Sequence, residues 1–350
     1  MTPVPITRHL KQESSPSMAN EPSVVLPALV RMGLADAEDQ PDIVPLTGGV
    51  SSLIVRVDTR NGPLCIKQAL PELKVASHWS APLARNHAEL AWIREVARTL
   101  PDAVPKILGE DAQSYCFAMQ WLAPEQHPVW KNQLRDGHVR PEFAAQVARR
   151  LSQIHSTTAG QPALAERFAY DQNFFELRLD PYFGATALVH TDCASVLQDL
   201  IAQTAANRLT LVHGDISPKN ILAGPAGPIF LDAECAVYGD PAFDAAFCLT
   251  HLIAKCLWRP ASTDDYLACF DAFTRHYVAG VTWESTETIE SRTSLLLAAI
   301  LLARADGKSP LEYLTEPDRQ RLRAFARRWL LSPATRLAEV RVAWKEELAR

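Results

Sequence analysis

An α+β fold in two lobes is what this chain predicts: a small antiparallel sheet with one helix, then a larger, mostly helical lobe. Three observations carry the prediction. Alternating apolar segments flank a two-residue turn signal at Asn61-Gly62. One helical pattern and two more strand-like runs follow, as far as Leu122. Beyond Pro124, apolar residues recur mainly at helical spacing, interrupted by one dense polar stretch from His213 to Asp244.

Taken in order, residues 1–22 are rich in Pro, Ser, Thr and charge without periodicity, and read as a disordered leader. Val24 to Leu34 reads as a short helix. Ile43 to Leu46 opens the strands and leads into Thr47-Gly-Gly-Val-Ser-Ser52; Leu53 to Val57 then alternates, and Pro63 to Gln68 is the returning strand. Leu90, Ile93, Ala97 and Leu100 place a helix over Arg85 to Leu100, stopped by Pro101-Asp102. Val104 to Leu108 and Tyr115 to Leu122 read as further strands. Pro141 to Thr157 is an amphipathic helix with Phe143, Val147, Leu151 and Ile154 on one face. Val196–Asn207, Ala242–Trp258, Thr263–Val278, Glu287–Ala305 and Pro317–Leu331 are further helices. These elements divide the chain into a lobe at 23–122, a second lobe at 123–335 and a helical tail at 336–350.

Composition bounds the partners. With 47% apolar and 21% charged residues the chain reads as a soluble globular protein, and a net charge of −5 gives no basic footprint for nucleic acid. The longest strongly apolar run, Leu295 to Ala303, is far short of a membrane span, and the charged N-terminus does not read as a secretory signal. Seven scattered cysteines lack any CxxC pair, which favours buried free thiols in a reducing cytoplasm over disulfides or a zinc site. A monomer or a homodimer is expected.

The chemistry is concentrated in His213-Gly-Asp-Ile-Ser-Pro-Lys-Asn220 and the following Phe230-Leu-Asp-Ala-Glu234. Asp215 stands five residues before the amide Asn220, and a second carboxylate, Asp232, ends the next apolar run. Phosphoryl transfer from a nucleotide needs a group beside the attacking hydroxyl and oxygen ligands for the magnesium that bridges the phosphates. Asp215 fits the first task; Asn220 and Asp232 fit the second. Read structurally, Asp-Ile-Ser-Pro is also good turn chemistry.

These motifs, with Gly239-Asp-Pro-Ala-Phe-Asp244 after them, resemble the aminoglycoside phosphotransferase/choline kinase family over roughly residues 40 to 310. The resemblance implies a protein-kinase-like fold and phosphate transfer from ATP, with GTP left open, to a hydroxyl of a small molecule. It implies that His213 fixes the loop by packing and hydrogen bonding, and that Asp244 anchors it through backbone amides. Lys67, in Cys65-Ile-Lys67, resembles the strand lysine that pairs the α- and β-phosphates. Its acidic partner is Glu89 in preference to Glu95, which faces the opposite, solvated side. Gly48, Gly49, Ser51 and Ser52 occupy the place of a loop covering the nucleotide. Gln120 and Leu122 form the hinge, where their backbone groups meet the purine edge. Glu234 lies near the metal or is a solvated loop residue, Ser217 reaches toward the phosphates, and Lys219 reads as a surface charge.

Two segments are candidates for the acceptor site: His251, Lys255 and Trp258 on one helical face, and the cluster Arg304, Asp306 and Lys308. The latter reads either as a clamp for an anionic or polyhydroxyl substrate or as a helix cap. Basic residues in both argue against a polycationic antibiotic. A choline-type acceptor needs an aromatic cage, for which Trp130, Trp258, Tyr266 and Trp283 are available. Lys67-Gln-Ala-Leu-Pro71, Arg85 with Glu89, and Asp232-Ala-Glu234 are similar to the methylthioribose kinase branch, which favours a ribose-like sugar over an amino alcohol. An antibiotic kinase, a protein kinase and a non-catalytic nucleotide-binding module are the alternative readings.

Overall fold

A computed structural model describes residues 22–46, 52–70, 83 and 85–350. The leader, Gly48, Gly49 and Ser51 therefore lie outside the described residues. Five antiparallel strands form the N-terminal sheet: β1 (Asp42–Pro45), β2 (Ser52–Thr59), β3 (Gly62–Ala69), β4 (Ile107–Asp111) and β5 (Cys116–Gln120), in the spatial order β1-β2-β3-β5-β4. Thr59 pairs with Gly62, so the tight turn is Arg60-Asn61 and Gly62, at φ +105°, already begins β3. β4 starts three residues later than the sequence suggests. Pro105 has no N–H to give a ladder, and the register shifts between Ile107 and Gly109.

Alternation along the strands gives the sheet two faces. Val55, Val57, Leu64, Ile66 and Ala118 pack under a short helix, Pro22–Arg31, through Val25, Ala28 and Leu29. The opposite face carries Lys67 and Phe117 and meets the helix Arg85–Ala97, which buries Leu90, Trp92, Ile93 and Val96. Two helices thus sandwich the sheet, where the sequence singled out one. Lys67 is on the face turned toward the second lobe because it is one residue out of phase with Ile66.

The chain leaves the sheet after Gln120 and becomes mostly helical. At the centre lies the helix Pro241–Trp258, buried from Pro241 through Leu257. Its start is fixed by Asp240, which accepts from the Ala242 N–H at 2.9 Å, and by Pro241 in the first turn. The helices Thr263–Ala279 and Thr286–Asp306 pack against it, Pro141–Thr158 packs on Thr263–Ala279, and Glu316–Leu331 and Leu337–Leu348 close the far side. Two small ribbons stand between this bundle and the sheet: β6 (Thr210–Val212) with β9 (Val237–Gly239), and β7 (Ile221–Gly224) with β8 (Gly227–Phe230). All seven cysteines are buried free thiols. Among the described residues no helix is long and apolar enough to cross a membrane.

Candidate active site

The loop from His213 to Asn220 hangs between β6 and β7 and is held from behind. Asp244, in the first turn of the central helix, accepts the His213 N–H on Oδ2 and the Gly214 N–H on Oδ1, each at 2.8 Å. His213 Nδ1 accepts the Asp215 N–H at 3.1 Å, so its Nε2 carries the proton and donates to the Leu231 carbonyl at 3.1 Å. Burial lowers the pKa of this imidazole. A neutral, doubly bonded ring wedged edge-on against Trp92 is a strut, not a base. Gly214 turns the chain at φ +79°, and a Cβ there would stand 2.6 Å from the Cys235 carbonyl oxygen. Gly214→Ala is therefore expected to lower folding stability by roughly 3 kcal/mol in urea unfolding. An unchanged transition midpoint would refute the argument.

Asp215 is buried, with Oδ2 at 2.9 Å from Arg178 Nη2 and at 3.3 Å from Lys219 Nζ. Burial alone would raise its pKa, but Lys219 and Arg178 outweigh it and hold the carboxyl well below the usual range. Lys219 is half-exposed yet turned toward Asp215, so it is not a plain surface charge. Arg178 is the residue the sequence did not single out. It also donates from Nε to the Gly214 carbonyl at 2.6 Å, locking the loop and its carboxylate together. Asn220 donates from Nδ2 to the Asp215 carbonyl at 3.1 Å, and Ser217 Oγ is buried without a partner among the described residues.

Facing this loop, Lys67 bridges the lobes. Its Nζ lies 2.8 and 2.6 Å from the two carboxylate oxygens of Glu89 and is also bonded to Asp232 Oδ1. Glu89 is thus the acid beside the lysine. Glu95 is not solvated as its position suggests; Arg167 of the second lobe covers it. Burial pushes Glu89 up to about 7 even beside Lys67, whereas Lys67 and Lys219 keep Asp232 below its ordinary value against the pull of burial. Asp232 takes a left-handed backbone, φ +67°, which turns its side chain back toward Lys67. Glu234 is buried on the buried Arg85 at 3.2 Å and is not a solvated loop residue. At the hinge, the Gln120 N–H donates to the Lys106 carbonyl at 2.8 Å, so at that residue only the carbonyl is left for a purine edge.

The donor set suits magnesium. Asn220 spends its amide N–H on the loop, which leaves its carbonyl oxygen, and Lys67 engages one Asp232 oxygen, which leaves the other. Two oxygens flanking the β7–β8 ribbon, one just before β7 and one just after β8, with phosphate completing the shell, match what a hard, small cation accepts.

The acceptor candidates separate. His251 and Lys255 are buried, and Trp258 stacks on Tyr313 with ring centres 4.5 Å apart. Trp130 and Tyr266 are fully buried and Trp283 packs on His155, so these aromatics form no common cage. Lys255 Nζ itself occupies the Trp258 and Tyr313 rings, at 4.7 and 5.2 Å from their centres. Of the 304–308 cluster, Asp306 is taken by His190 and Arg323 at 2.8 and 2.6 Å, and Lys308 by the exposed Asp180. Only Arg304 turns inward.

Two lobes, a bridging lysine and a loop aspartate behind them define the protein-kinase-like fold of small-molecule kinases. The chain matches the phosphotransferase enzyme family over residues 42–281, and it belongs to that family. It is similar to methylthioribose kinase of Yersinia pseudotuberculosis serotype O:3 (strain YPIII), at 25% identity over 233 residues, 59% of this chain and 54% of that one. The chain thus spans about half the length of the relatives it matches. Similar solved structures include an aminoglycoside phosphotransferase from Alicyclobacillus acidocaldarius (15% identity, 97% of each chain, TM-score 0.51). Another is the amicoumacin kinase hAmiN in complex with AMP-PNP, Ca2+ and Ami (13% identity, 84% of this chain and 90% of that one, TM-score 0.54).

Proposed function

We propose that this chain moves the γ-phosphoryl group of ATP to a hydroxyl of a small metabolite, with a ribose-like sugar ahead of an amino alcohol. The observation that carries the reading is the facing pair: Lys67 held between Glu89 and Asp232, opposite Asp215 held by Arg178 and Lys219. Lys67 would bind the α- and β-phosphates, with Glu89 fixing its direction. Gly48, Gly49, Ser51 and Ser52 would cover the phosphates, and the Gln120 carbonyl with the Leu122 N–H would hold the purine. Asn220 and Asp232 would hold Mg2+, which supplies charge neutralisation along the phosphate chain. Asp215 would orient the acceptor hydroxyl in line and take its proton late, because the loose transition state asks for positioning more than for basicity. Seven buried thiols suit a reducing compartment, and we place the protein in the cytoplasm.

Similarity to a methylthioribose kinase supports the sugar, and Lys255 filling the Trp258–Tyr313 pair weighs against a quaternary ammonium there. The test is ADP release with ATP and Mg2+ across a panel of sugars, polyols, amino alcohols and aminoglycosides. A sugar is expected to give the highest kcat/KM. Transfer to protein with no response to any small alcohol would overturn the proposal.

A further inference from the structure

Beside the Asp215 site lies a buried guanidinium, Arg304, that makes no ion pair among the described residues. Arg304, in the last turn of Thr286–Asp306, is 9% exposed. One end of its guanidinium is anchored: Nη1 donates to the Ser309 carbonyl, to Ser309 Oγ at 2.8 Å and to Tyr182 OH at 3.4 Å. The other edge is bare. Among the described residues Nε is buried without a partner and no hydrogen bond uses Nη2. Nε–H and Nη2–H lie parallel on one side of the planar group, at the spacing of two carboxylate or phosphate oxygens. A buried donor without an acceptor is costly, so an empty edge held rigid from behind is a feature that a ligand completes.

Its position relates it to the reaction. The guanidinium carbons of Arg304 and Arg178 lie 5.9 and 6.0 Å from the centre of the same Tyr182 ring, and Arg178 is the residue bonded to Asp215. His251, buried against Phe247, is within electrostatic reach of Arg304, Lys255, Asp215 and Lys219 together. Of the acids in this region, Asp215 is taken by Arg178 and Lys219, and Glu312 by Lys131 at 2.8 Å. A cationic acceptor would meet repulsion from Arg304, and a neutral one would offer the bare edge only a weak acceptor.

We infer that the acceptor is an anion: a small hydroxyl compound bearing a carboxylate or a phosphate, gripped through Nε and Nη2 of Arg304 with its hydroxyl presented to Asp215. This rests on the phosphotransfer reading and narrows its substrate to an acidic or already phosphorylated sugar-like molecule.

Matched pairs test it on the whole protein. Calorimetric titration in the presence of AMP-PNP compares gluconate with glucitol, glycerate with glycerol, and ribose 5-phosphate with ribose. In at least one pair the anion should bind about 10- to 100-fold tighter, the range for a hydrogen bond to a charged group. The pair that responds tells a carboxylate from a phosphate. Arg304→Gln should erase that difference, and Arg304→Lys, which keeps the charge without the parallel edge, should restore only part of it. The lysine variant also serves if the glutamine variant does not fold. Anions that bind no better than their neutral partners, or an advantage that survives in Arg304→Gln, overturn the inference. ADP release separates the two levels. Tight anion binding without turnover of any acceptor sinks the phosphotransfer reading alone, and turnover confined to neutral or cationic acceptors sinks the anion site alone.

Discussion

Replacing Asp215 by Asn should reduce turnover about 10³-fold while the protein still binds nucleotide, because the change removes one proton acceptor and leaves Lys67, Glu89 and Asp232 in place. The size follows from geometry. Arg178 and Lys219 fix Oδ2, and the Asp215 N–H and carbonyl are each bonded within the loop, so the remaining oxygen has one place to be. An amide keeps the shape and loses the charge that attracts the acceptor proton. The two cations that aim the carboxylate also depress its pKa, which fixes the pH dependence. A carboxylate depressed in the folded state stays ionised from about pH 4 upward, so Asp215 contributes no acid limb to kcat/KM above that pH. Its contribution to stability is present above the ordinary aspartate pKa and is lost as pH falls through the lower folded value. Steady-state ADP release and a nucleotide titration on both proteins check this; near-full turnover of Asp215→Asn on the best acceptor would falsify the assigned role.

How much of this was legible in the sequence depends on the periodicity of each element. The family resemblance picked out Lys67, and the 3.6-residue repeat of the neighbouring helix then favoured Glu89 over Glu95 as its partner. Asp215, Asn220 and Asp232 lie on one short loop-and-ribbon segment, where sequence neighbours are spatial neighbours. Arg178 had no such signal. It sits in a wide-turn helical segment, Phe175–Gly184, that contains Pro181 and departs from helical spacing. An arginine between Leu177 and Leu179, with Glu176 and Asp180 beyond them, reads as an ordinary surface charge; only packing shows that it is buried on an acid and a carbonyl. Glu95 misled for a related reason. Helical phase places it on the far side of its own helix, but Arg167, from the other lobe, makes that side an interface. Arg304 was visible as part of a charged cluster, and only packing could show that Asp306 and Lys308 face elsewhere.

The loop's rigidity has a single buried origin, and removing it gives the second large effect. Asp244→Ala is expected to destabilise the protein by about 3–5 kcal/mol, because two backbone N–H groups at His213 and Gly214 lose the acceptor that Asp244 gives them inside the core. Water does not readily replace the carboxylate, since Asp244 is fully buried and His155 Nε2 closes the remaining side at 3.3 Å. The helix that carries Asp244 is itself pinned at Asp240, which Arg292 grips at 2.9 Å and Asn207 at 2.9 Å. That framework has no slack through which the loop could find a new anchor. Freed from it, His213 loses one of the bonds that hold its chain direction, and Asp215 drifts with it. A shift of about 1 Å in a positioning group is enough to cost about 10²-fold in rate, so the variant should lose turnover as well as stability. Asp244→Asn keeps one acceptor oxygen and should fall between wild type and the alanine variant on both measures. Urea unfolding and ADP release on the three proteins decide it: an alanine variant within about 1 kcal/mol of wild type would show that the loop is held by its own turn chemistry and not by the central helix.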